Sequence, residues 1–189
     1  MNNLIIKQQR ISSSLDPCGI FDIEVWRKNK KIITCHEYND VTNEARDNIL
    51  NVNFYNTDQA LYWWVGLIDS TSYVAIAETD TYVNINQVGN GWIEFTNYTD
   101  PRNQNSAINR IAWNKNNAST QSISNTTKML IDITEVSIIK GIFVVGGVVS
   151  SQIKNDNSAG NVLWSTALFT EELDLIPGDQ IRANYLITI

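Results

Sequence analysis

Residues 61–68, LYWWVGLI, leave this chain few ways to fold. A strand sends successive side chains to opposite faces, so Leu61, Trp63, Val65 and Leu67 point one way and Tyr62 and Trp64 the other. Both faces are apolar, and a strand of that kind has to be covered on both sides. An exposed aromatic platform would need its rings in a row on one face, whereas Trp63 and Trp64 fall on opposite faces. The run reads as a central core strand.

The rest of the chain supplies its neighbours. In residues 20–27, Phe21, Ile23 and Val25 alternate with Asp22, Glu24 and Trp26, the period of a half-buried strand. Residues 27–31 (RKNKK) read as a solvated hairpin tip, and residues 31–38 as the returning strand. Residues 41–54 predict the one helix: Thr42 or Asn43 can cap it, Glu44 suits its first turn, and Ala45, Ile49, Leu50 and Val52 form an apolar stripe. Further strands are expected at 91–95, 107–113, 128–133, 137–149 and 162–169, with the glycines of 137–149 suggesting bulges or a bend. The last strand, 180–189, alternates Ile181, Ala183, Tyr185 and Ile187 with polar residues. Strands about ten residues apart with turn signals between them predict a mainly β protein, an antiparallel β-sandwich of jelly-roll-like type with one short helix. Residues 1–17 read as an extended N-terminal arm, with one apolar patch at Leu4, Ile5 and Ile6, and residues 18–189 as a single domain.

Composition narrows the partners. Of 189 residues 43% are hydrophobic, enough for a substantial core, and 18% are charged, below the usual quarter. The formal net charge of -6 lacks the basic stripe that phosphate backbones need, so no nucleic-acid partner is expected. No apolar run approaches the ~20 residues of a membrane span, and no membrane partner is expected. The N-terminus shows no apolar leader core. Cys18 and Cys35 read as two buried free thiols rather than a disulfide framework.

Little here looks like chemistry. The single histidine, His36, adjoins Cys35, but neighbouring strand residues face opposite ways and cannot share a metal or act as nucleophile and base. No HExxH, paired CxxC, GxSxG or phosphate loop occurs. Gly146-Gly147 does not lead into a helix and so makes no phosphate site. Glu171, Glu172 and Asp174 cluster, as do Asp132 and Glu135; a glycosidase needs two carboxyls about 5–10 Å apart across a cleft, and acid clusters in an acidic chain read as solvated faces. Residues 156–160 (DNSAG) lack the later Glu of a calcium loop. No catalytic, cofactor-binding or metal-ligating residue is expected, and no enzyme activity. Trp92, Trp113 and Trp164 read as core. Tyr73, Tyr82 and Tyr98, in loops, are the rings left for stacking on a sugar.

Several segments, in order, resemble one family. They are a strand and helix at 37–50, the W/Y-W/Y-V-G-L-I strand at 62–68, a loop ending in Thr79-Asp80-Thr81, and G-W-x-E-x-T-x-Y at 91–98. Lys140-Gly141-Ile142-Phe143, G-x-x-L-W-S-x-x-L-F at 160–169 and G-D-x-[apolar]-x-x-x-Y at 178–185 complete the series. Together they resemble the small structural proteins of tailed-bacteriophage virions. The Asn/Ser-rich stretch 103–125 and the order Pro101-Arg102 depart from that pattern, and the arm lies outside it. The resemblance implies a β-sandwich of the virion, a decoration (cement) or head-associated protein, made in the host bacterial cytoplasm and located on the capsid surface. Its expected partners are the major capsid protein or another virion protein, and further copies of itself. The arm residues Leu4, Ile5, Ile6, Arg10 and Ile11 are the candidate capsid contacts, and an exposed edge at 180–189 is a second. The alternative is an adsorption module of a tail or head fibre that binds host glycan through Tyr73, Tyr82 and Tyr98.

Overall fold

The first two strands, β1 (Cys18–Arg27) and β2 (Lys30–Val41), are joined by Lys28 and Asn29 alone, both at positive φ of 49° and 60°. Two such residues make the tight turn whose twist matches that of the strands it joins. The register that follows turns Phe21, Ile23 and Val25 inward, and all three are fully buried. The computed structural model describes residues 17–103 and 106–189. The predicted arm, with Leu4, Ile5, Ile6, Arg10 and Ile11, lies outside the described residues.

After β2 come helix α1 (Asn43–Phe54), β3 (Tyr62–Asp69), β4 (Glu94–Phe95), β5 (Tyr98–Thr99), β6 (Ile111–Ala112) and β7 (Ser122–Ser124). β8 (Met129–Ile133), β9 (Ser137–Gly147), β10 (Val162–Leu175) and β11 (Gln180–Thr188) follow. The protein is mainly β with one helix, as the sequence predicts. Its nine-strand sheet runs β4-β3-β9-β10-β2-β1-β11-β8-β5, all pairs antiparallel, with β6 also on β3 and β7 also on β11. The sheet curls until it is nearly closed into a barrel. Two straps span the gap. Residues 94–99 pair with β3 through β4 and with β8 through β5. Residues 111–116 pair with β3 through β6, and then bond Asn116 N–H to the Ser124 carbonyl. A strap that changes partner within a few residues can hold each edge only briefly. That is why β4 and β6 are two residues long where 91–95 and 107–113 predict full strands.

Other expectations are corrected by the sheet order. Residues 180–189 are not an edge: β11 lies between β1 and β8. β10 continues past Phe169 to Leu175. Thr42, not Asn43, caps α1, its hydroxyl accepting from Ala45 N–H. Leu50 is exposed instead of joining the buried stripe, and Cys18 is exposed while Cys35 is half-buried, both thiols being free.

From Trp63 onward β3 is covered on both faces, as its composition demands; Leu61, just before the strand, and Tyr62, its first residue, are exposed, against the expectation that the whole run is core. Inward, Trp63, Val65 and Leu67 join the main core with Phe21, Ile142, Trp164 and Tyr185. Outward, Ile68 meets Phe143, Val145 and Leu163 in a second core, roofed by Tyr82, Ile85 and Trp92 from the long β3–β4 connection. Trp63 stands edge-on to Trp113 and Trp164, with centroids 6.3 and 5.5 Å away, and its ring crosses the face of Gly146. A Cβ at 146 would sit 2.7 Å from that ring. Because the indole is packed against two further tryptophans, Gly146→Ala is expected to destabilise the fold by about 1–3 kcal/mol, read as a lower urea midpoint at unchanged slope.

Candidate functional site

Most of the residues singled out for chemistry have a local structural partner. His36 and Asp22 face each other across β2 and β1, exposed, with Nδ1 2.5 Å from Oδ1. Burial pushes the Cys35 thiol up to about 11, with Glu37 adding to the rise, so this sulfur is a poor nucleophile at neutral pH. Glu172 bonds Ser70 and Lys140, Asp132 accepts from Gln180, and Glu135 accepts from Asn97. These acids are therefore engaged separately rather than as a convergent pair. Asp156 accepts from the Tyr82 hydroxyl and from Ser158. Among the described residues, no three His, Cys, Asp or Glu side chains are placed to hold a metal.

The loop tyrosines divide. Tyr82 and Tyr98 are buried, one roofing the second core and the other in the main core, so their rings are closed to a sugar. This corrects the expectation that they are free. Tyr73 is partly exposed, with the Lys140 ammonium 5.5 Å from its ring centre.

Buried charge instead ties the connections together. Arg110 holds Glu94 through two parallel bonds of 2.9 and 2.8 Å, and donates to the Tyr82 hydroxyl and the Ser151 carbonyl. Lys154 donates to the carbonyls of Thr96, Tyr98 and Ala107, its ammonium lying over the Tyr98 ring. These groups anchor the 94–99 strap and leave the outer surface to other work.

What that surface offers is a run of exposed apolar residues. Along α1, Ala45 is buried and Ile49 packs on the core, while Leu50 and Phe54, four residues apart, share a different face. Phe54 is 84% exposed, Tyr55 81% and Leu61 71%, and Tyr62 is nearly half exposed. Five large apolar side chains thus stand in solvent within residues 50–62. Elsewhere among the described residues exposed large apolar side chains are spread more thinly along the chain, which is normal for a protein surface. The helix that carries Leu50 and Phe54 is anchored at its N-terminal end. The Thr42 hydroxyl donates to the Leu163 carbonyl, and Glu44 Oε2 accepts the N–H groups of both Tyr82 (2.8 Å) and Leu163 (2.6 Å). The sequence carried a signal for it in the apolar residues that overflow a single helical stripe.

Comparison of the chain with protein families, with curated proteins and with solved structures finds no match.

Proposed function

We propose that this chain is a structural protein of a bacteriophage virion, a decoration or cement protein that binds the head shell and stabilises it by bridging subunits. The observation that carries this reading is the concentration of exposed apolar side chains within residues 50–62, which begins on a helix tied to the barrel. Large exposed apolar groups gathered in one stretch suit a protein contact site, and Phe and Tyr are enriched at interface cores. The resemblance of the ordered segments to virion structural proteins points the same way. In this reading the curled sheet is a flattened sandwich of jelly-roll type. In support, its two halves meet at β2–β10 through the pairs Val41–Ser165 and Asp40–Thr166 alone. Copies of the chain act together on a symmetric shell, and the arm, through Leu4, Ile5, Ile6, Arg10 and Ile11, adds contact area on a neighbour. Symmetry multiplies a modest affinity per site.

Mixing the protein with undecorated capsids of its phage and sedimenting them tests this. Saturable co-sedimentation with a raised capsid Tm is expected. The double variant Phe54→Ser/Tyr55→Ser should lose at least about tenfold in affinity, since a few central aromatic residues dominate interfaces. Deletion of residues 1–14 should leave a folded domain that binds more weakly. Absence of any capsid association by the full chain would reject the reading.

A further inference from the structure

Beside the apolar run lies a concavity that capsid docking does not explain. We propose that the cleft between α1 and the β9–β10 corner binds a neutral saccharide chain.

The cleft encloses about 690 Å³, within the range of small-ligand sites. One wall is α1, which presents Asp47, Asn48 and Asn51; the facing wall is the extended segment carrying Thr57, Asp58 and Gln59. The floor is largely backbone, from Gly146, Gly147 and Gly160, with Val148 and Val162 beside it. Gly147 has a φ of 148°, and a Cβ there would strike Asn161 Oδ1. Glycine at 147 thus leaves room for the Asn161 amide to lie against this backbone. A lining of amides, hydroxyls and carboxylates with Val148 and Val162 beside it suits a pyranose, whose C–H face can meet the valines while its neighbouring hydroxyls pair with the planar donor–acceptor groups.

The walls are fixed before any ligand arrives. Glu44 and Thr42 clamp α1 to the start of β10, and Asn43 N–H bonds the Glu78 carbonyl. Across the floor, the Asn161 side chain accepts from Val148 N–H and donates to Ser150 Oγ and the Ser158 carbonyl. A pre-formed site loses less entropy on binding. Glu44 itself lines the cleft, and the bonds to Tyr82 and Leu163 both go to Oε2, leaving Oε1 for a ligand hydroxyl. Burial raises its pKa, partly opposed by the N–H groups of Leu163 and Tyr82, consistent with a carboxyl withdrawn from bulk water.

Charge selects among saccharides. Glu44, Asp47 and Asp58 line the cleft and no Lys or Arg does, so its potential is negative. Phosphorylated and uronic chains are repelled and neutral chains are not. The three acids do not form a metal-holding group, which leaves hydrogen bonding as their role.

The test uses the labelled full chain, without capsids, on a glycan array of neutral and acidic chains, followed by titration of the strongest neutral binder. The expected result is saturable binding to neutral chains with a Kd below about 1 mM. Asp47→Ala and Asn51→Ala, both at exposed helix positions, should each weaken it about tenfold with Tm unchanged. No saturable binding to any neutral chain overturns the proposal. So does a preference for acidic chains, or affinity undiminished in both variants.

Discussion

Arg110→Met is expected to cost about 3–5 kcal/mol of stability, because it leaves the Glu94 carboxylate buried without its counter-charge. Both side chains of the pair are fully buried. The guanidinium bonds both Glu94 oxygens, the Tyr82 hydroxyl and the carbonyls of Ser151 and Asp156, and lies 5.3 and 5.4 Å from the ring centres of Tyr82 and Phe143. Burial works against its charge, but Glu94 beside it more than compensates and holds its pKa above the usual value. After the substitution only neutral donors such as Asn155 N–H, 2.8 Å from Oε2, remain to Glu94. Removing both charges, in Arg110→Met/Glu94→Met, should recover most of the loss, since a buried pair replaced by apolar groups is often near neutral. Urea unfolding of the four proteins of the cycle measures this. Losses that simply add would show that the two residues are not coupled. Arg110→Lys should rescue poorly, because an ammonium cannot make the two parallel bonds of the fork.

That pair also shows where sequence reading stops. β1, β8 and β11 were legible because a sheet with one face on a core imposes alternation, and Phe21, Met129, Ile131 and Ile181 are all buried as that alternation predicts. The continuous apolar runs at 63–68 and in β9 were legible for the complementary reason, burial on both faces. Glu94 and Arg110 stand in stretches with no period, and nothing local marks them as partners. Tyr82 and Tyr98 sit among turn-like residues and read as exposed, yet Tyr82 is carried inward because an outer layer has to cover Ile68, Phe143 and Val145, and Tyr98 because the 94–99 strap carries it into the main core. The position of β11 was hidden too. The chain's first described strand pairs with its last, Cys18 opposite Thr188, and no local pattern reports a contact between residues so far apart. At α1, apolar residues on two faces gave no sign of which face the core would take. The core took Ala45 and Ile49, leaving Leu50 and Phe54 outside. The cleft draws its lining from five separate stretches of chain, and none carries a motif.

Lys154 gives the second large effect, and it depends on pH. Its ammonium is enclosed by three carbonyls, at 2.9 Å for Thr96 and 3.0 Å for Ala107, with Tyr98 O the third, and lies 3.8 Å from the Tyr98 ring centre. Lys154→Met strips all three of a charged donor and should destabilise the protein by about 2–4 kcal/mol at pH 7, since each buried acceptor left unmade costs about 1–3 kcal/mol and relief of a buried charge offsets part of the sum. In the native protein burial lowers the Lys154 pKa to about 8, against a weaker upward pull from Glu94, while the unfolded chain titrates near 10.5. Between those values the unfolded state holds more protons than the folded one, so stability rises with pH. Below about pH 8 both states are protonated and the contribution is flat. The buried tyrosines Tyr82 and Tyr98, whose pKa values burial raises, act in the opposite direction only above about pH 10. The Cys35 thiol, raised to about 11 in the fold, favours the unfolded state above about pH 9 in both proteins alike. Urea midpoints of the native protein should therefore climb from pH 8 to 10 relative to those of Lys154→Met. Parallel profiles for the two proteins would assign the rise to another group. A rise confined to the native protein would show that the strap at 94–99 is held by a lysine kept charged at neutral pH against its own burial.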